Sequence, residues 1–235
     1  MTTTAAAPGD GTDSLPEIKN LRIGVLGGTG EQGRGLAKRL ALAGVAVTLG
    51  SRDADRAQQA AATLAPNAPV QPIGADNATC AQTSEIVIAA VPWEGHAELL
   101  RGLAGQLAGK IVVDCVNPLG FDKQGCYALP VAEGSAAQQA AAILPESRVV
   151  GAFHHVSAVL LLDDAVTSVD TDVLVLGDDR EATDLVQALA GCIPGIRGIY
   201  GGRLRNCGQV EAFTANLISM NRRYKAHAGL RVTDV

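Results

Sequence analysis
The chain has 235 residues, a net charge of −5, 47% hydrophobic residues and only 3% aromatic ones, which suits one large α/β domain with a small appendage. The acidic balance argues against a nucleic-acid partner, and no apolar run approaches the roughly 18–20 residues of a membrane helix. Cys80, Cys115, Cys126, Cys192 and Cys207 show no paired short spacing, which argues against both a disulfide framework and a zinc site.

Residues 1–18, rich in Thr, Ala, Gly, Asp and Pro, read as a flexible tail. They lack the basic start and apolar centre of a signal peptide, so a cytoplasmic setting is expected. Residues 22–26 predict a buried strand and 31–43 a helix. A second strand follows at 45–50, then a helix at 54–64 capped by Asp53, and a short strand at 70–73. The near-continuous β-branched runs at 85–91 and 110–116 predict strands covered on both faces, separated by a helix at 94–107. Residues 118–134 show no periodicity and read as a long loop, a candidate lid. Strands at 149–153 and 172–176, a helix at 180–190 and a long final helix at 208–226 complete the pattern. This rhythm predicts an α/β fold: a doubly wound, Rossmann-type parallel sheet with a small helical C-terminal segment.

Gly28-Thr29-Gly30-Glu31-Gln32-Gly33 follows the first strand and opens the first helix. In that context Gly28 permits the tight turn, Gly30 lets a pyrophosphate approach the backbone, and Gly33 lets the helix pack closely. The helix N-terminus offers free N–H groups and partial positive charge to phosphates. Extended short-chain dehydrogenases share this glycine spacing but need Tyr-x-x-x-Lys, and none of Tyr127, Tyr200 and Tyr224 has a lysine four residues on.

An NAD enzyme places a carboxylate at the end of the second strand for the ribose hydroxyls. This chain has Gly50-Ser51-Arg52 there, with Arg56 one helical turn on. A hydroxyl and two guanidiniums suit a 2′-phosphate, so NADP is the expected cofactor. Residues 19–203 are then the NADP-binding domain and 204–235 the C-terminal segment. His154 and His155 titrate near neutrality, but a histidine hydrogen-bonded at a strand end is the simpler reading. Asp178 and Asp179 precede a helix and read as caps, not metal ligands. No metal site and no indispensable catalytic side chain is expected. From residue 201 onward six bases (Arg203, Arg205, Arg222, Arg223, Lys225 and Arg231) face two acids (Glu211 and Asp234). That surplus suits either a local anionic ligand or the end of the last helix.

Leu26 to Gly30, Leu49 to Arg52, Val91-Pro92-Trp93-Glu94, Ala152 to Ala158, Gly177-Asp178-Asp179 and Glu211 to Thr214 together resemble the F420-dependent NADP reductases, over about residues 21–222. The resemblance implies hydride transfer between NADP(H) and the deazaflavin coenzyme F420. It implies that Thr29, Gly30, Glu31 and Gln32 contact the diphosphate, and that Ser51, Arg52 and Arg56 hold the 2′-phosphate. Pro92 and Trp93 would border the cofactor, Ala158 would meet the nicotinamide carboxamide, and His154 and Val156 would line the deazaflavin side. It also implies a homodimer with C-terminal helices in the interface. The basic segment would then meet the anionic tail of F420. His155, Ser157 and Gly95 depart from the family pattern and bear on the shape of the deazaflavin pocket.

Three other readings compete. A β-hydroxyacid dehydrogenase would carry a catalytic lysine near residues 202–209, where this chain has Arg203, Arg205 and Cys207. An imine reductase of the pyrroline-carboxylate type would need a longer C-terminal domain. A non-catalytic NADP sensor, reporting redox state to a partner, would bind NADPH without turnover against any acceptor.

Overall fold
The position of the glycine turn follows from the order of eight strands. The computed structural model describes residues 18–235. Residues 1–17 of the stretch read as a tail lie outside the described residues, and Ile18, its last residue, is buried in the core. The first half of the chain holds β1 (Arg22–Leu26), α1 (Glu31–Leu42), β2 (Ala46–Ser51), α2 (Ala54–Leu64), β3 (Ile73–Asp76), α3 (Asn77–Thr83), β4 (Ile86–Ala89), α4 (Trp93–Gly102), α5 (Ala104–Leu107) and β5 (Ile111–Asp114). The second half adds β6 (Leu119–Asp122), β7 (Gly125–Ala128), α6 (Ala136–Ile143), β8 (Arg148–Gly151), α7 (Ala158–Leu162), β9 (Thr171–Gly177), α8 (Arg180–Gly191), β10 (Ile196–Gly202) and α9 (Cys207–Tyr224).

The main sheet runs β3-β2-β1-β4-β5-β8-β9-β10. Strand residues alternate between two cores. Ile86, Ile88, Ile111 and Val113 face one core with α1, α2 and α8. Val87, Ala89 and Val112 face the other, with α3, α4, α6 and α9. Both faces are covered, so the central strands are apolar throughout. The strand order turns back between β1 and β4, which opens a crevice beyond their carboxyl ends.

The sheet is mostly parallel, with one departure from the expectation: β9 pairs antiparallel with β8, and β10 follows β9. The reason lies in α7. Its five residues span only about 7.5 Å, too short to carry the chain back along the sheet. The helix lies instead against α1, where Gly35 admits it: a Cβ there would sit 2.7 Å from Leu161. The buried Arg39 guanidinium donates to the carbonyls of Leu160, Leu161, Asp163 and Val166 at 2.6–2.9 Å. It thereby satisfies the acceptors that a helix end leaves open.

Other boundaries moved for local reasons. The third strand lies three residues later than expected, because Pro72 cannot donate to a ladder and Gly74 is needed where β3 meets the Ala57 backbone. β10 was not expected from its glycine-rich sequence. Its Gly198 lets α8 approach, since a Cβ would lie 2.5 Å from Gln187. The expected helix at 94–107 is two helices that break at Leu103. The expected loop at 118–134 contains the hairpin β6–β7, whose turn is held by Asp122 Oδ1 accepting from the Gln124 and Gly125 N–H groups (2.7 and 3.1 Å).

After α9 the chain folds back as a strap across the start of β9. Asp172 N–H donates to the Leu230 carbonyl (2.6 Å), and Leu230 and Val232 N–H donate to Thr171 Oγ1 and Asp172 Oδ2. The buried Asp172 carboxylate also accepts from Arg197 (2.7 Å) and Arg231 (2.6 Å). These partners hold it well below the usual carboxylate range, Arg197 most of all, against the opposing effect of burial.

Candidate functional site
A cleft of about 780 Å³ lies over the β1/β4 crossing point. Its walls include Gly27, Thr29, Gly30, Ser51, Arg52, Arg56, Asn77, Val91 and Pro92. The turn into α1 differs in detail from the simple motif reading. The left-handed residue is Gly27, at φ +73°, a role expected of Gly28. Gly28 instead permits close approach to β2, where a Cβ would sit 2.9 Å from both Leu49 Cβ and the Val25 carbonyl. Gly33 packs against the same turn, with its Cβ position only 2.5 Å from the Gly27 carbonyl. Gly30 caps α1 without a side-chain hydrogen bond. The first-turn N–H groups at Glu31, Gln32 and Gly33 therefore lack a side-chain cap.

At the end of β2, Ser51 is buried and Arg52 and Arg56 are exposed at the cleft rim. Among the described residues neither guanidinium has a salt-bridge partner. Asp53, whose role as helix cap was expected, accepts the Arg56 N–H at 3.1 Å. Asn77 was not singled out from the sequence. It follows β3, lines the cleft, and its buried Oδ1 has no partner.

The other expected site residues lie on two separate features. Pro92 is the N-cap of α4 and lines the cleft, whereas Trp93 is not part of that wall and stacks on His96, with ring centroids 5.6 Å apart. His154, Val156 and Ala158 lie on the connection from β8 into α7, outside the walls of the cleft. His154 is buried with both ring nitrogens unpartnered. Burial pushes its pKa down to about 4, although Asp114 pulls the other way, so the ring is neutral at pH 7. His155 donates from Nε2 to the Val210 carbonyl on α9 at 2.7 Å, which fits the expected hydrogen-bonded histidine. The expected lid does not reach the cleft: no residue from 118 to 134 lines it. The hairpin packs on α9, where Tyr127 and Phe213 border a smaller groove.

Beneath the β4–β5 edge lies a polar cluster that the sequence did not announce. His96 Nε2 is 2.6 Å from Asp114 Oδ2, with both side chains fully buried. Glu211 on α9 accepts the first N–H groups of α6, at Ala136 (2.8 Å) and Ala137 (3.1 Å). Burial raises the Glu211 pKa to about 7, against the lowering effect of these two bonds. A Ser135-x-x-Gln138 pattern, with Ser135 capping Gln138, was the local signal for α6 that could have been read.

Asp179 caps α8 as expected, accepting the Ala182 N–H at 2.8 Å, whereas Asp178 faces Arg203 at 3.5 Å. All five cysteines are free, and burial pushes the Cys80 thiol up to about 12. No helix among the described residues is long and apolar enough to cross a membrane.

Residues 22–118 match the family profile described as NADP oxidoreductase, coenzyme F420-dependent. The chain is 39% identical to the F420-dependent NADP reductase of Methanothermobacter marburgensis, over 92% of this chain and 99% of that one. It is 37% identical to the F420-dependent NADP reductase of Methanocaldococcus jannaschii, over 92% and 99%. A crystal structure from Arthrobacter sp. FB24, of a protein ascribed to the same activity, shares the fold with a TM-score of 0.73 and 28% identity, covering 91% of this chain and 99% of that one.

Proposed function
The chain belongs to the F420-dependent NADP reductase family, and we infer from that premise that it is an oxidoreductase moving hydride reversibly between NADP(H) and coenzyme F420. Kinship over nearly the whole length carries the activity, and the cleft carries its nucleotide half. The residues present fit a dinucleotide. Gly30 leaves room for a phosphate at an α1 N-terminus with no side-chain cap, and Arg52 and Arg56 stand at the rim where β2 ends. Among the described residues, the buried side-chain polar atoms without a partner are Asn77 Oδ1 and the two His154 ring nitrogens.

Bound together, NADPH supplies the hydride and F420 accepts it with one proton. The protein's part is alignment and exclusion of water. Gly28, Thr29, Gly30, Glu31, Gln32 and Gly33 seat the diphosphate, and Ser51, Arg52 and Arg56 grip the 2′-phosphate. Pro92 and Trp93 flank the nicotinamide end, with Ala158 at the carboxamide. His154 and Val156 border the deazaflavin. His154, neutral at pH 7, acts as an uncharged hydrogen-bonding wall and not as the proton donor. Arg205, Arg222, Arg223 and Lys225 are the bases left for the anionic tail of F420, because Arg203 and Arg231 already face Asp178, Asp170 and Asp172.

The protein works as a homodimer in the cytoplasm. Phe121, Tyr127, Phe213 and Met220 expose apolar surface on the hairpin and α9, and the free thiols suit a reducing compartment. Mixing protein, NADPH and oxidised F420 tests the activity by loss of the deazaflavin absorbance. Binding of NADPH without that loss would identify a sensor instead.

A further inference from the structure
His96 lies one helical turn into α4, directly after the Pro92–Trp93 corner. Its ring is pinned on three sides. Nε2 meets Asp114 at 2.6 Å, Nδ1 lies 3.3 Å from Gln139 Oε1 on α6, and one face stacks on Trp93 at an interplanar angle of 30°. Asp114 is the last residue of β5, and its other oxygen, Oδ1, accepts the Val116 N–H at 3.0 Å, which fixes the chain as it leaves the sheet. One residue on, Asn117 Nδ2 donates to the His154 carbonyl at 3.1 Å, and Asn117 Oδ1 accepts from Thr214 on α9 at 3.2 Å. One buried carboxylate therefore sits between the cleft wall at Pro92 and the His154 connection. A charge with no route to solvent persists only when paired and hydrogen-bonded, so this expensive arrangement has a geometry to hold.

We propose that His96 and Asp114 are a positioning pair, locking the start of α4 onto the end of β5 and so keeping the two coenzyme half-sites in register. The pair does not touch the reacting atoms. It fixes the elements that do, and the proposal rests on the reductase reading for which rings those elements face. The charged and titratable groups around His96 are Asp114 on β5, Glu211 on α9, and Glu133, which reaches it through Gln139 of α6. Burial alone would lower the His96 pKa, but the hydrogen bond and charge of Asp114 outweigh it and raise the pKa above the ordinary histidine value.

Trp93 is the sole tryptophan, so its fluorescence reports this pair without any coenzyme, because a stacked imidazolium quenches an indole. In the full-length protein, Trp93 emission should rise with pH at a midpoint above about 6.5. The midpoint should drop most in Asp114→Asn and less in Glu211→Gln, because Glu211 supports the His96 charge more weakly than Asp114 does. In turnover, Asp114→Asn should lower kcat by about 10- to 100-fold with the NADPH KM changed less than about twofold, and His96→Gln should do the same. A native midpoint at or below the ordinary histidine value would overturn the proposal, and this arm needs no variant to fold. So would variants that melt earlier yet keep their kcat, which would leave the pair a structural pillar only. If the native protein fails to reduce F420, the functional reading falls while the emission titration still decides the pair.

Discussion

Around β1 and β2 the polar groups of the cleft face outward: the α1 N–H groups have no side-chain cap and Arg52 and Arg56 have no acidic partner among the described residues. Around β5 and β8 they face inward: His96 and Asp114 are buried and bonded to each other, Glu211 is buried and bonded to the start of α6, and the buried His154 ring has no bonding partner among the described residues. The first region draws its donors from one continuous turn and one strand end. The second draws on β5, α4, α6, α9 and the β8 connection. An exposed anion grip can be changed residue by residue with little effect on folding. A buried network cannot, because each member's loss leaves another without its partner.

The largest effect that would break this contrast belongs to the exposed grip. Two charge-assisted contacts of about 1.5–3 kcal/mol each correspond to a preference for NADPH over NADH on the order of 10²–10⁴. Arg52→Ala combined with Arg56→Ala should abolish most of it in steady-state kinetics with both coenzymes, at unchanged melting temperature. Equal losses for NADPH and NADH would mean that the arginines are structural. A smaller effect is expected at His154. Its ring is neutral at pH 7, and on the proposed reading it is not the proton donor, so His154→Ala should lower kcat by less than about 100-fold, below the upper range of general acid–base catalysis. A deeper fall with NADPH affinity intact would reveal a proton-transfer role.

The subtlest effect sharpens the inward-facing side. Glu211 has a folded-state pKa of about 7, above its unfolded value, so the folded state holds the extra proton between about pH 4.5 and 7. The Glu211 contribution to stability therefore falls as pH rises through that window, by at most about 1.4 kcal/mol per pH unit, opposing the rise that the buried neutral His154 contributes. In Glu211→Gln that contribution should vanish, so the difference in stability between the variant and the native protein should change with pH, as urea unfolding of both at pH 5, 6 and 7 would measure. An unchanged slope would place the titration elsewhere.

The same contrast explains what could be read from the chain. The glycine turn, the Ser51-Arg52 end of β2 and the Asp53 cap are local patterns, set by a few adjacent residues. Even there the left-handed residue proved to be Gly27, one before the expected position, since glycine spacing does not state which φ is positive. The buried cluster had no such signature. His96 and Asp114 are 18 residues apart and Asp114 and Glu211 still further, so only the packing of α4, β5 and α9 brings them together. The reversal of β9 also escaped, because it depends on how far a five-residue helix reaches, not on any strand's own pattern. The strap was hidden for a related reason: its acceptor, Asp172, looks like an ordinary polar start to a strand.

That strap has a consequence for the order in which the protein is made. Asp172 is synthesised some sixty positions before Val232, its most distant partner, whose N–H it accepts. Synthesis runs from the N-terminus at roughly 5–20 residues per second, and domains fold as they emerge. The glycine turn and its sheet can form early, because every strand from β1 to β5 precedes residue 115. The β9–β10 edge is different. Its buried carboxylate lacks Arg231 and the Val232 N–H until residues 231 and 232 have left the ribosome. The nucleotide half of the molecule is thus free to assemble early in translation, while the far edge of the sheet closes only after residue 232 has emerged.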